Sequence, residues 1–196
     1  MIRALLFDFD GLLLDTEGPS FRAWAEVYER HGNELTLGTW SAAIGTIDGF
    51  DPVRHLRGLG VTLDEAAQEA RRTRDLDLCD LEELRPGVAD LLEEADRRGL
   101  RTAIVSSSDD AWIARHLDRH ALLDRFDAIV CANGDAARAK PRPTLYLEAL
   151  DRLEIAPHEG VAFEDSPNGV AGAKAATLTP GCGPAQPRGQ YRPALR

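Results

Sequence analysis

Lysine is nearly missing from this chain. Of its 23 basic residues only Lys140 and Lys174 are lysine, and the other 21 are arginine. A compact ammonium and a planar guanidinium do different chemistry, so each lysine is a position to inspect. Positive charge as a whole is scarce. Against 33 Asp and Glu the formal net charge is −10, and without a basic stripe the chain has no footing on nucleic acid or an anionic membrane surface. No apolar run approaches the roughly 18 residues of a membrane-spanning helix. The opening MIRALLFDFD lacks a basic segment followed by a long apolar stretch, so it reads as a strand rather than a signal peptide, and the expected location is the cytoplasm. Cysteine is limited to Cys79, Cys131 and Cys182, widely spaced and without a CxxC pair. That argues against a disulfide framework and against a structural zinc site.

What is present suits one globular domain with a modest insertion: 196 residues, 43% of them hydrophobic. Short apolar runs recur and each ends in polar residues: Ile2 to Phe7 before Asp8, Asp10 and Gly11; Leu100 to Val105 before Ser106; Phe126 to Val130; and Gly160 to Phe163 before Glu164 and Asp165. Such runs are buried parallel strands that exit into loops. Helical patterns lie between them: Val88 to Ala95 closed by Gly99, Trp112 to Leu117 after Ser108 and Asp109, Leu145 to Leu153 after Pro143, and Pro167 to Ala176. The alternation predicts an α/β fold around a doubly wound parallel sheet.

Residues 17–84 break the alternation. Helix starts are expected at Ser20 and at Thr62, the latter with Glu65 in capping-box spacing. The segment reads as an all-helical insertion with hinges at Thr16 to Pro19 and Arg85 to Gly87. Its seven Arg and fourteen Asp and Glu carry −7 of the net charge, a surface that would repel a polyanion. Residues 177–196 hold four prolines and three glycines and no apolar run, so coil or disorder is expected there.

In an open parallel sheet, ligands bind outside the carboxyl ends of the strands. Asp8, Asp10, Ser106, Glu164 and Asp165 all fall at such ends. Either acidic pair alone is equally compatible with capping a turn or a helix. Together in one crevice they would repel one another, and an all-oxygen site suits Mg²⁺. Carboxylates, a metal and Lys140 fit phosphoryl transfer. Asp8 could attack phosphorus while Asp10 shuttles a proton, and Ser106 with neighbouring backbone N–H groups could hold phosphate oxygens. Ser106 reads equally as a helix cap. A nucleotide-sugar metal held by Asp8 and Asp10 would leave Lys140 and the Glu164-Asp165 pair without a role.

The run Asp8-Phe9-Asp10-Gly11-Leu12-Leu13-Leu14-Asp15-Thr16-Glu17 resembles the first motif of the haloacid dehalogenase superfamily, in the β-phosphoglucomutase-like branch with a helical cap inserted after it. Ile104-Val105-Ser106-Ser107-Ser108 resembles the second motif, Lys140-Pro141-Arg142-Pro143 the third and Phe163-Glu164-Asp165-Ser166-Pro167-Asn168-Gly169 the fourth. The resemblance implies a Rossmann-like core over 1–16 and 85–176 and an all-helical cap over 17–84. It implies Asp8 as nucleophile and Asp10 as acid/base, with Gly11, Ser106, Ser107 and Lys140 as phosphate-binding residues. Mg²⁺ would lie on Asp8, the Asp10 carbonyl, Glu164 and Asp165. The expected activity is Mg²⁺-dependent hydrolysis of a small phosphorylated metabolite through an aspartyl-phosphate. A phosphomutase and a non-catalytic phospho-ligand-binding relic are the alternatives.

Departures from the pattern carry information. Mutases of this branch have a histidine where Ser20 stands and an arginine where Ile47-Asp48-Gly49 stands, which favours water as the phosphoryl acceptor. Asp10 argues against dehalogenation, which lacks a second aspartate. Thr144 replaces an acidic residue in the third motif. Thr177 replaces a glycine, and the abrupt loss of pattern after Ala176 points to a truncated or frame-shifted C-terminus. Weaker signals have ordinary readings. His116 and His120, one turn apart without an HExxH glutamate, form a helix pair; Gly169 to Lys174 lacks the ending of a phosphate loop; Trp24, Tyr28, Trp40 and Phe50 read as core more than as a substrate pocket.

Overall fold

The computed structural model describes residues 1–41 and 50–182. Five strands, β1 (Ala4–Phe7), β2 (Arg101–Ser106), β3 (Ala128–Cys131), β4 (Gly160–Glu164) and β5 (Thr179–Cys182), form one sheet in the order β3-β2-β1-β4-β5. Every pairing is parallel, with Ala4 opposite both Arg101 and Gly160. The chain first winds from β1 toward β3 and then crosses back to β4, so the winding direction reverses between β1 and β4. That switch point is where an open parallel sheet leaves a crevice.

The period of two along β1 divides the core. Ala4 and Leu6 face the layer of α7 (Thr144–Leu153) and α8 (Pro167–Ala175), where Leu145, Tyr146, Leu150 and Leu153 are buried. Leu5 and Phe7 face α5 (Val88–Arg97) and α6 (Asp110–Arg119) through Leu92, Ile113 and Leu117. Both faces are covered, which explains the unbroken apolar runs.

Helices α1 (Glu17–Arg30), α2 (Leu37–Ser41), α3 (Pro52–Gly58) and α4 (Glu65–Cys79) come between β1 and α5 and gather about their own core of Trp24, Val27, Tyr28, Leu35, Trp40, Leu56 and Leu63. The aromatics of this segment are therefore structural, with Phe50 packed against the cluster. Its two connections run side by side. Leu14 bridges Leu84, the Arg85 N–H donates to the Leu13 carbonyl at 2.9 Å, and Arg85 pairs with Asp15 at 3.6 Å.

Three local expectations are corrected. Helix α1 begins at Glu17, not Ser20: the Ser20 N–H already donates to the Thr16 carbonyl and the Gly18 N–H to Asp15 Oδ1, both at 3.1 Å. Asp64, not Thr62, caps α4, its carboxylate accepting from the Ala67 N–H at 2.8 Å. The expectation of coil is overturned over Thr179–Cys182, where β5 pairs with β4 along Val161 to Glu164. A Pro/Gly-rich stretch can do this at a sheet edge, where Pro180 needs no donor on its open side. The Ile47-Asp48-Gly49 stretch and residues 183–196 lie outside the described residues.

Candidate active site

Strand β1 delivers Asp8 to the switch point, and Lys140, on the loop after β3, reaches it there. The Lys140 Nζ donates to Asp8 Oδ1 at 2.7 Å and lies 2.6 Å from Glu164 Oε1 at the end of β4. All three side chains are buried. The Tyr146 hydroxyl of α7 donates to the same Glu164 oxygen. The lysine loop is pinned from β2's exit, because the Lys140 N–H donates to Ser107 Oγ at 3.2 Å. Glu164 and Asp165 do not cap α8: that work is done by Ser166, whose hydroxyl accepts from the Gly169 N–H at 3.0 Å.

Two glycines are required by carboxylates. Gly11 sits at φ +79°, and a Cβ there would fall 2.2 Å from Asp165 Oδ2. A Cβ on Gly169 would fall 1.7 Å from Glu164 Oε2. Each glycine leaves the space its carboxylate occupies.

Asp10 faces a different set of partners. Its Oδ1 accepts from Thr16 Oγ1 and from the Trp112 indole Nε1, both at 2.9 Å. Its Oδ2 accepts from Ser108 Oγ at 2.6 Å and from Ser106 Oγ at 3.4 Å. Ser106 also accepts from the Ser108 N–H at 3.0 Å and caps no helix.

The electrostatics follow from three carboxylates around one ammonium. Burial pushes the Asp8 carboxyl well above the ordinary carboxylate range; Glu164 and Asp165 push the same way and Lys140 opposes them. Desolvation and the Glu164 charge raise Asp165 to about 6. Burial works against the Lys140 charge, but Asp8 and Glu164 outweigh it and hold its pKa above the usual lysine value. At the start of α1, burial and the charges of Asp10, Asp165, Asp15 and Asp75 raise Glu17 to about 7. One oxygen each from Asp8, Glu164 and Asp165 lie within 4.8 Å of one another. Hard oxygen donors with excess negative charge fit a divalent cation such as Mg²⁺. A buried carboxylate held beside a buried ammonium, with such a cluster at its side, is equipped to attack an electrophilic phosphorus.

A family model for haloacid dehalogenase-like hydrolases matches residues 2–177. The chain belongs to that family. YhcW of Bacillus subtilis (strain 168), named for a phosphatase activity, is 43% identical over 180 residues, which cover 91% of this chain and 81% of that protein. A Thermotoga maritima phosphatase of phosphorylated carbohydrates is 30% identical over 180 residues, covering 90% and 82%. Among solved structures, a mutant CbbY of Rhodobacter sphaeroides in complex with xylulose-(1,5)bisphosphate superposes with a TM-score of 0.73 at 29% identity, covering 93% of this chain and 86% of that one. The β-phosphoglucomutase of Bacillus subtilis is a more distant relative at 28% identity. As a haloacid dehalogenase-like hydrolase the chain is an enzyme, with relatives named as phosphatases.

Of the residues singled out in the sequence, Asp8, Lys140, Glu164 and Asp165 converge, with Gly11 against Asp165. Ser106 lies beside Asp10, and Ser107 holds the lysine loop. Sequence reasoning missed Thr16, Ser108, Trp112 and Tyr146 as partners of these groups. Trp112 and Tyr146 each fit the apolar period of their helix, and nothing in that period tells which way an indole N–H or a phenol points. His116 is fully buried against Trp112 and Phe9, while His120 Nε2 lies 3.0 Å from Arg119. Among the described residues the only grouping of three metal-capable side chains is Asp8, Glu164 and Asp165. No helix among them is long and apolar enough to cross a membrane.

Proposed function

We propose that the protein is a Mg²⁺-dependent phosphatase that hydrolyses a small phosphomonoester in the cytoplasm through an aspartyl-phosphate on Asp8. The observation that carries this reading is the buried Asp8–Lys140 pair at 2.7 Å, set among carboxylates at the switch point of the sheet. Asp8 is the nucleophile: its buried oxygen has little water to shed before it meets phosphorus. Lys140 orients Asp8 and then shares its ammonium with the incoming phosphate oxygens. Ser106, Ser107 and Gly11 line the phosphate position. Asp10 gives a proton to the departing oxygen and later takes one from the attacking water.

Asp8, Glu164, Asp165 and the Asp10 carbonyl would hold the metal, which supplies neutralising charge to the phosphoryl oxygens. Residues 17–84 act as a cap over the core formed by 1–16 and 85–176, and exclude water while the ester bond breaks. Water is the final acceptor, not a second substrate hydroxyl. At Ser20, where the mutase pattern has a histidine, the hydroxyl is directed at Asp75 Oδ2, 3.4 Å away. The phosphorylated carbohydrates and sugar bisphosphate in the relatives' names favour a phosphorylated polyol or sugar as substrate.

Phosphate release from p-nitrophenyl phosphate and a panel of sugar, nucleotide and short-chain phosphomonoesters tests the reading. Release is expected to need Mg²⁺ and to disappear in a folded Asp8→Asn variant. A well-folded wild type that releases no phosphate from any of these esters would overturn it.

A further inference from the structure

We infer that Asn133 is a site of spontaneous modification: its side-chain amide is lost to attack by the Gly134 nitrogen, leaving aspartate or isoaspartate in the loop that carries Lys140. This chemistry is independent of the phosphatase reading. A glycine after an asparagine leaves the attacking nitrogen unshielded, because no Cβ stands beside it. The sequence holds two such pairs, Asn133-Gly134 and Asn168-Gly169. They are alike as dipeptides, and the fold treats them in opposite ways.

Asn133 and Gly134 are both exposed, at φ +52° and +75°, in the middle of a turn that the Asp135 N–H closes on the Ala132 carbonyl at 3.1 Å. Positive φ at both central residues marks the type I′ turn that Asn-Gly favours. The Gly134 N–H takes no part in closing it, and among the described residues nothing accepts a hydrogen bond from it. Asn133 Oδ1 accepts from the Asp110 N–H at the start of α6, at 2.8 Å. Attack on Cγ moves negative charge onto that oxygen, where a donor is already aimed. The Asn133 backbone is otherwise tied only by a 3.4 Å bond from its N–H to the Ser108 carbonyl. Turning the residue until the Gly134 nitrogen meets Cγ is thus a local opening on the surface, which costs little.

Asn168 instead lies in the first turn of α8. The Gly169 N–H donates to Ser166 Oγ and the Val170 N–H to the Ser166 carbonyl, both at 3.0 Å. Gly169 is buried against Glu164, whose Oε2 lies 1.7 Å from where a Cβ would fall. Its nitrogen can reach Asn168 Cγ only if Ser166 gives up its bond and the helix start unwinds.

In the reaction the Gly134 nitrogen forms a bond to Asn133 Cγ and the bond from Cγ to Nδ2 breaks. The proton of the Gly134 N–H leaves on Nδ2, as ammonia. Water then opens the resulting five-membered imide. Opening at Cγ gives aspartate on an unchanged backbone, and opening at the main-chain carbonyl gives isoaspartate, with an extra carbon in the backbone between β3 and Lys140.

The test is to age the purified protein at mildly alkaline pH, well below its melting temperature, beside a sample unfolded in urea. Trypsin, cutting after Arg125, Arg138, Arg152 and Lys174, isolates the two asparagines in peptides 126–138 and 153–174, neither of which holds another side-chain amide. Mass spectrometry follows the amide-to-acid mass gain against an unaged control, and isoaspartyl methyltransferase labels the isoaspartate. In the folded protein Asn133 is expected to convert about tenfold faster than Asn168, or more, the factor set by one further hydrogen bond to break. In urea the two should convert at similar rates. The inference is overturned if Asn133 converts no faster than Asn168 in the folded protein, or stays intact over an interval in which the urea sample has converted.

Discussion

At the scale of single residues the active site depends on a buried positive charge and on an absent side chain. Lys140 stands between Asp8 and Glu164, and removing one member of a buried charged group leaves the others uncompensated. Lys140→Met is therefore expected to destabilise the metal-free protein by about 3–5 kcal/mol, read from urea unfolding, and to abolish turnover. Gly11→Ala places a methyl group on Asp165 at a backbone angle that L side chains rarely adopt. The expected outcome is a loss of about 1–3 kcal/mol in stability, with weaker Mg²⁺ binding by calorimetric titration. An unchanged metal affinity in Gly11→Ala would count against Asp165 as a ligand. Lys140 was legible in the sequence because lysine is so rare there. The need for glycine at position 11 was legible only through the motif, since the collision involves a carboxylate about 150 positions away in the sequence.

At the scale of elements, the end of α8 shows how a strand survives an unfavourable sequence. The Leu178 N–H donates to the Ala173 carbonyl and the Thr177 N–H to Lys174, both bonds of a Schellman turn, with Thr177 at φ +60°. The turn directs the chain into β5, and Leu178 is buried in the core beside Ala173. A β-branched residue is strained in this conformation. Thr177→Gly should thus raise stability by up to about 1 kcal/mol, seen as a higher denaturant midpoint with an unchanged slope. The expectation of coil here failed because composition was weighed without the sheet: β4 offers a parallel edge, and four residues sufficed to use it. The same limit applies in the helical insertion, where capping-box spacing at Thr62 gave way to the nearer carboxylate of Asp64. The four longer apolar runs, by contrast, became strands within about two residues of their expected limits, because burial on both faces leaves little other reading.

Across the whole molecule, acidic groups from the insertion and the core meet at one place. Glu17 titrates at about 7 when folded against an ordinary 4.5, and Asp165 at about 6 against 3.8. The folded chain thus binds these protons more tightly than the unfolded one. The stability they contribute is complete below about pH 4 and is lost as the pH rises through 6 and 7. Thermal melts in EDTA should show the midpoint falling across that window. Glu17→Gln should melt higher than wild type at pH 7.5 and differ little at pH 4. Because a cation bound only by the folded state stabilises by mass action, Mg²⁺ is expected to raise the wild-type midpoint at pH 7.5 and to do so far less in Asp165→Asn. The acidic balance of residues 17–84 was visible in the sequence. That Glu17 belongs to the mouth of the site was not, since it depends on how two distant segments fold together.

The order of strands also has a history in time. Ala4 pairs with Arg101 on one side and Gly160 on the other, so the strand that precedes Asp8 is made long before it gains both neighbours. Contacts this distant in sequence close slowly. The second neighbour, β4, is made last of the two, and that same segment ends in Glu164 and precedes Asp165. The strand that gives β1 its second neighbour and the carboxylates grouped with Asp8 therefore arrive together, and a nascent chain has Asp8 long before it has the acidic group around it.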